Sequence, residues 1–249
     1  MKPNFKRPPL SLAEVEPQTP RTLVERAYLG LRHDVICGKL APGERLRVEH
    51  LKDQYEVGAG TLREALSLLV SDALVTSEGQ RGFRVAPISL TDLEDLTNTR
   101  VMLETEALRQ SIRRGDAQWE AALVQSYERL SQTEIDLAAA GSELWERRNK
   151  LFHEALIAGF DSDWSKYLLS ILHRHAERYR NIAWRLTAAH SSGRDVHREH
   201  EDIFRAAIAR QDARAALALE AHIRLTHEVM RQQASPTELT QPPDVSGHN

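Results

Sequence analysis

A single cysteine, Cys37, stands in 249 residues, so no internal disulfide can form. Its position within an apolar helical pattern reads as a buried structural thiol rather than a nucleophile. No apolar run approaches the roughly 20 residues that cross a bilayer. Lys2, Lys6 and Arg7 are followed by Pro-rich polar sequence rather than an apolar stretch, so no secretory leader is read and the expected location is the cytoplasm. An excess of charge of one sign is also missing: 33 Lys and Arg face 36 Asp and Glu, a net charge of -3, so bulk charge gives no sign of a nucleic-acid partner. His-Glu-x-x-His, Gly-x-Ser-x-Gly and phosphate-cradling glycine loops are absent, which removes the commonest hydrolase and nucleotide-enzyme patterns.

What remains is an ordinary soluble composition, 41% hydrophobic and 28% charged, at a length that suits two domains. Pro-rich stretches at 1–18 and 234–249 read as flexible tails, enclosing a first domain at 19–88 and a second at 89–233. Charge divides along the same line. Residues 1–88 hold 13 basic against 11 acidic side chains, and residues 89–249 hold 20 against 25.

In the first domain, Leu23, Ala27, Leu31, Val35 and Ile36 recur at helical spacing and stop at Gly38, a residue suited to a left-handed helix end. Arg45 to Val48 reads as a short extended piece after the turn Pro42-Gly43, and a second helix is predicted at about Glu49–Tyr55. Gly58 and Gly60 would each cost a helix interior about 1 kcal/mol relative to alanine. They therefore read as a turn, with Thr61 capping a third helix over Leu62–Leu74, whose buried face includes Leu62, Ala65, Leu66, Leu69 and Val70. Strands at Leu74–Ser77 and Phe83–Ala86, joined by a glycine-bearing loop, complete a winged helix-turn-helix. Such a domain sets its third helix in the major groove and reaches the neighbouring backbone or minor groove with its wing.

After Pro87, Ser89-Leu90-Thr91-Asp92 resembles a capping box. The apolar period then predicts helices at 90–114, 117–140, 143–159, 163–189, 195–210 and 212–233, broken at Gly115, Gly141, Gly159 and Ser191-Ser192-Gly193. The fold class expected is mostly α: an N-terminal winged helix-turn-helix with a small β-hairpin, then an all-α bundle of about six helices.

Pro42-Gly43-Glu44-Arg45-Leu46, Leu62-Arg63-Glu64-Ala65-Leu66 and Gly82-Phe83-Arg84-Val85, in that order and spacing, resemble the GntR family of bacterial regulators. The body resembles the FCD effector domain of the FadR-type subfamily, and the likeness covers about residues 22–232. It implies a homodimer that binds a double-stranded DNA operator, mostly as a repressor, and answers to a small organic acid. The turn before the third helix departs from the family. Gly58-Ala59-Gly60-Thr61 stands where relatives carry Ser-Arg-Thr-Pro, so DNA contacts fall to Arg45, Arg47, Thr61, Arg63, Ser67 and the wing residue Arg81.

On the residues alone, Arg100 and Glu104 at i,i+4 read as a surface ion pair. The resemblance instead places Arg100 in the bundle cavity as an anchor for effector carboxylates, with Glu104 and Asn149 beside it. Asn149 and His153 match the family's Asp/Asn-x-x-x-His motif, and His200 and His222 match its other ligand histidines. Residues i and i+4 share a helix face, so Asn149 and His153 can offer an oxygen and an imidazole to one point, and two antiparallel helices can bring His200 and His222 to it. Three imidazoles suit a divalent ion such as Zn or Ni. His173, His175, His190 and His227 read as surface or packing residues, and His197 as a neighbour of the site. Three histidines holding a metal also describe zinc hydrolases, so a metal-dependent hydrolase is the alternative reading.

Overall fold

The computed structural model describes residues 20–79, 82–186 and 194–233. The described residues fall into two compact units, one built from residues 97–173 and 194–226 and the other from 20–79, 82–96, 174–186 and 227–233. No helix among the described residues is long and apolar enough to cross a membrane.

The first stretch of the second unit is the winged helix. Helix α1 (Leu23–Ile36) is capped by the Thr22 hydroxyl, which accepts from the Glu25 N–H at 3.1 Å, and it stops before Gly38, where φ is 75°. Strand β1 (Arg45–Leu46), helices α2 (Val48–Gln54) and α3 (Ala59–Ser71), and strands β2 (Val75–Ser77) and β3 (Phe83–Val85) follow. The extended piece at Arg45 is a third strand of the wing: the sheet runs β1-β3-β2, antiparallel, with Leu46 opposite Phe83 and Val75 opposite Val85. Leu31, Val35, Leu51, Leu62, Leu66, Leu69, Leu74 and Val85 meet in one core.

Helix α3 differs from its predicted span at both ends. It begins at Ala59 with Gly58 as its cap, so Gly60 and Thr61 lie in its first turn and Thr61 does not cap it. Glycine's entropic cost there, about 1 kcal/mol relative to alanine, is overridden by packing of the helix's apolar face. The helix stops at Ser71 because Ala73 turns left-handed, φ 57°, and drops Leu74 into the core. Val70 is exposed rather than on the buried face. Cys37 is half-buried at the end of α1 rather than fully enclosed.

Helix α4 (Leu90–Arg114) begins in this unit, and α7 (Asp163–Leu186) ends in it. The later turns of α7 pack on the winged helix and on the segment that follows β3. Arg174 lies 3.3 Å from the Asp72 carboxylate, and His175 Nε2 lies 2.9 Å from the Asp72 carbonyl. Arg178 donates to the carbonyl of Ala86, and Asn181 to that of Ile36. Ile88, Leu93, Tyr179, Ile182 and Met230 form a small core there.

The other unit is helical: the rest of α4, then α5 (Ala117–Ile135), α6 (Leu137–Ile157), the first turns of α7, α8 (Val196–Ile208) and most of α9 (Asp212–Gln233). Leu108, Ile112, Leu123, Leu130, Phe152, Leu156, Ile203 and Leu219 fill its centre. Gly115 is required by packing, since a Cβ there would sit 2.4 Å from the Trp119 ring. The break between α5 and α6 is not at Gly141 as the sequence predicts. Asp136 leaves helical geometry and caps α6 by accepting from the Ala139 N–H, while Gly141, φ 76°, only kinks α6.

Candidate metal and effector site

On the winged helix, α3 presents Arg63, Glu64 and Ser67 to solvent, with Thr61 half-buried beside them. The Ser67 hydroxyl donates back to the Arg63 carbonyl at 2.9 Å, so its proton is already engaged. Arg45 in β1 and Arg47 at the start of α2 are exposed. Arg81 lies outside the described residues, as do the two predicted tails and His190. Arg84 belongs to the fold of the wing: it donates to Glu78 at 2.8 Å and to the Gly43 carbonyl at 2.6 Å.

In the helical unit, His153 on α6, His200 on α8 and His222 on α9 are all buried, and each offers a ligand atom such that all three lie within 4.8 Å of one another. Their ring centroids are 5.7 Å (153 to 200), 5.2 Å (153 to 222) and 4.6 Å (200 to 222) apart. Asn149, one turn before His153, is buried, and its Oδ1 has no hydrogen-bond partner among the described residues. The same holds for Nε2 of His200. Buried polar atoms are normally paired, so an orphaned amide oxygen and three converging imidazoles, one of which has an orphaned ring nitrogen, fit a divalent cation. Burial, with help from the neighbouring His222, holds the His153 pKa well below its ordinary value, which keeps its lone pair available.

Arg100 and Glu104 are not a surface pair. Their side chains are 9% and 1% exposed, and Arg100 Nε donates to Glu104 Oε1 at 2.7 Å. His173, expected at the surface or in packing, lies instead with Nε2 3.0 Å from Glu104 Oε1. Burial opposes ionisation of Glu104, yet the Arg100 charge and the His173 contact outweigh it and hold the carboxyl well below its usual range. Arg100, Glu104, His173 and His153 therefore form one polar cluster, His153 Nδ1 lying 4.0 Å from Glu104 Oε2. His173 had a sequence signal: Leu169 and Ala176 are buried, and 169, 173 and 176 fall on one helix stripe.

Two further residues join the triad without any sequence spacing to announce them. Glu134, at the end of α5, approaches His200 Nδ1 at 2.7 Å and His197 Nδ1 at 3.2 Å. Glu199, at the start of α8, approaches His222 Nδ1 at 2.8 Å and is gripped by Arg194 at 2.7 and 2.5 Å.

A family model described as bacterial regulatory proteins, gntR family, matches residues 23–85, and one for the FCD domain matches residues 95–225. The chain is 48% identical over 216 residues to BphR, an HTH-type transcriptional regulator of Paraburkholderia xenovorans (strain LB400), covering 85% of this chain and 86% of the relative. It is 36% identical over 209 residues to the HTH-type transcriptional repressor GlaR of Escherichia coli (strain K12), covering 83% and 94%. Among solved structures, Escherichia coli McbR/YncC superposes with a TM-score of 0.71 at 21% identity, over 85% of this chain and 98% of that one, a likeness of fold. These relatives are regulators, which leaves the hydrolase alternative without support.

Proposed function

The chain belongs to the gntR family of bacterial regulatory proteins and carries an FCD domain, and from that premise we propose a repressor that leaves its operator when a small carboxylate binds beside a divalent metal in the helical unit. Membership makes it a transcriptional regulator whose winged helix binds DNA; the repressor role, the metal, the effector and the homodimer are this proposal. One relative is named a repressor. The observation that carries the sensing part is the buried meeting of His153, His200 and His222, with the unpaired, buried Asn149 oxygen one helical turn before His153.

Each residue then has a task. His153, His200, His222 and Asn149 would hold the ion, which when bound supplies positive charge for a carboxylate oxygen. Arg100 would take the carboxylate through its remaining N–H donors while Glu104, already bonded to its Nε, fixes its direction. With Asn149 neutral, the ligand's carboxylate would serve as an extra donor, so metal and effector would bind cooperatively. On DNA, Arg63, Thr61, Ser67, Arg45, Arg47 and Arg81 would contact bases or phosphates, two copies reading the half-sites of a short palindrome. Effector would favour a state in which the two heads no longer match the half-site spacing.

The test is a gel shift of the protein on DNA from upstream of its own gene, at fixed salt, with small mono- and dicarboxylates titrated in with and without Zn or Ni. Release that requires both metal and carboxylate is expected. Release by a carboxylate from protein stripped of metal, unchanged in His153→Ala, overturns the metal role.

A further inference from the structure

The four donors proposed for the ion, three imidazoles and an amide, would all be neutral as ligands. A divalent cation bound to them would keep its full charge in a buried place, and a buried charge is costly unless nearby groups offset it. The negative charge stands one bond further out. Glu134 Oε1 is 2.7 Å from His200 Nδ1, and Glu199 Oε2 is 2.8 Å from His222 Nδ1. An ionised carboxylate can only accept, so the carboxylate at each Nδ1 favours the tautomer that carries the proton there and leaves the lone pair on Nε2, although at His222 an Arg194 nitrogen also lies 3.3 Å from Nδ1. At His200, that Nε2 is the buried atom without a partner among the described residues.

We propose that Glu134 and Glu199 are positioning residues of the metal site with different duties: both fix the tautomer and aim of an imidazole, and Glu134 alone also supplies the site's compensating negative charge. The inference rests on the metal reading above and goes beyond it in naming these residues. The difference lies in their other partners. Arg194 holds Glu199 through two contacts, so a fixed cation already offsets that carboxylate. Glu134 meets neutral or titratable donors, Trp145 Nε1 at 3.1 Å and the half-exposed His197. Its side chain is 4% exposed.

The test measures Zn affinity of the full chain by competition with a chromophoric chelator, with a thermal melt of each metal-free variant to show that it is folded. Glu134→Gln, which keeps an acceptor and loses the charge, is expected to weaken Zn binding by about 10- to 100-fold. Glu199→Gln should weaken it several-fold less, whereas Glu199→Ala, which also removes the acceptor, should weaken it further than Glu199→Gln. Glu134→Asp keeps the charge and should bind more tightly than Glu134→Gln, and this pair carries the test if Glu134→Gln melts early. Affinities within twofold of wild type for both glutamine variants, or a larger loss in Glu199→Gln than in Glu134→Gln, overturn the assignment. The metal reading fails separately, and visibly, if His200→Ala binds Zn as tightly as wild type.

Discussion

The guanidinium of Arg178 on α7 donates to the carbonyl of Ala86, a residue 92 positions earlier that follows directly on the last strand of the wing. Next to it the Tyr179 hydroxyl accepts from the Ser89 N–H at 3.1 Å and donates to the Asp92 carboxylate at 2.6 Å. The stretch between β3 and α4 has no regular structure, so its backbone groups need partners from elsewhere, and two consecutive residues of α7 provide them. Burial lowers the Arg178 pKa to about 10, which leaves it charged at neutral pH. Arg178→Ala would strand the Ala86 carbonyl and open a cavity in place of the side chain. A loss of about 2–4 kcal/mol is expected, read as a lower urea midpoint. A change below about 0.5 kcal/mol would show that water replaces the guanidinium without cost.

His175 gives this same unit a pH dependence of defined sign. Burial lowers its pKa, only partly offset by the Asp72 carbonyl that its Nε2 meets. A histidine with a depressed folded pKa is neutral in both states above its unfolded value, about 6.5, and there its contribution to stability is complete. As pH falls below that value the unfolded chain takes the proton first, and stability is lost until the folded pKa is reached. His153 pulls in the same direction, so the measurement is comparative. Between pH 7.5 and 5.5 the urea midpoint should fall more in wild type than in His175→Gln, and equal falls would remove His175 from the account.

Much of the fold is legible in the sequence because its signals are local. The periods of α1, α4 and α9 and the glycine-bearing wing follow from neighbouring residues alone. The boundaries that differ share a cause as well: glycine reads as a stop at Gly60 and Gly141, while Asp136 and Ala73 end helices by their backbone conformation. In the site, Asn149, His153, His200 and His222 are readable through a family motif. Glu134 and Glu199 are not, because the pairing of Glu134 with His200 joins α5 to α8 across 66 residues, and only the packed bundle brings them together.

Gly60 offers a direct check on the observed start of α3. It lies in the first turn of the helix, and a Cβ built on it meets nothing within 4 Å. Gly60→Ala should therefore stabilise the winged helix by about 0.5–1 kcal/mol, by removing freedom from the unfolded chain. A raised melting temperature supports the helical assignment. Destabilisation would mean that residue 60 sits in a turn after all.

Arg63 is exposed on the same helix, one turn from Gly60. If it reads a guanine edge, Arg63→Ala should cost about 1–3 kcal/mol on the operator and relax the preference at one base position. If it meets a phosphate, the loss should be uniform across sequences and the salt slope should fall by about one. Unchanged affinity at controlled salt would take Arg63 out of the interface.

Asn149 separates the two sides of metal binding most sharply. Its Oδ1 is buried and unpaired among the described residues, so Asn149→Asp would set a carboxylate in that place with almost no change of shape. Without metal, the new buried charge is uncompensated, and the variant should melt below wild type, by about 1–3 kcal/mol of stability. With Zn or Ni the sign should reverse. The charge becomes a ligand and chelator competition should show tighter binding, by about tenfold or more, since one decade corresponds to only about 1.4 kcal/mol. The effector should then matter less for metal retention, because the site no longer needs a borrowed carboxylate. A variant whose melting temperature responds to metal no more than that of wild type would place residue 149 outside the ligand set.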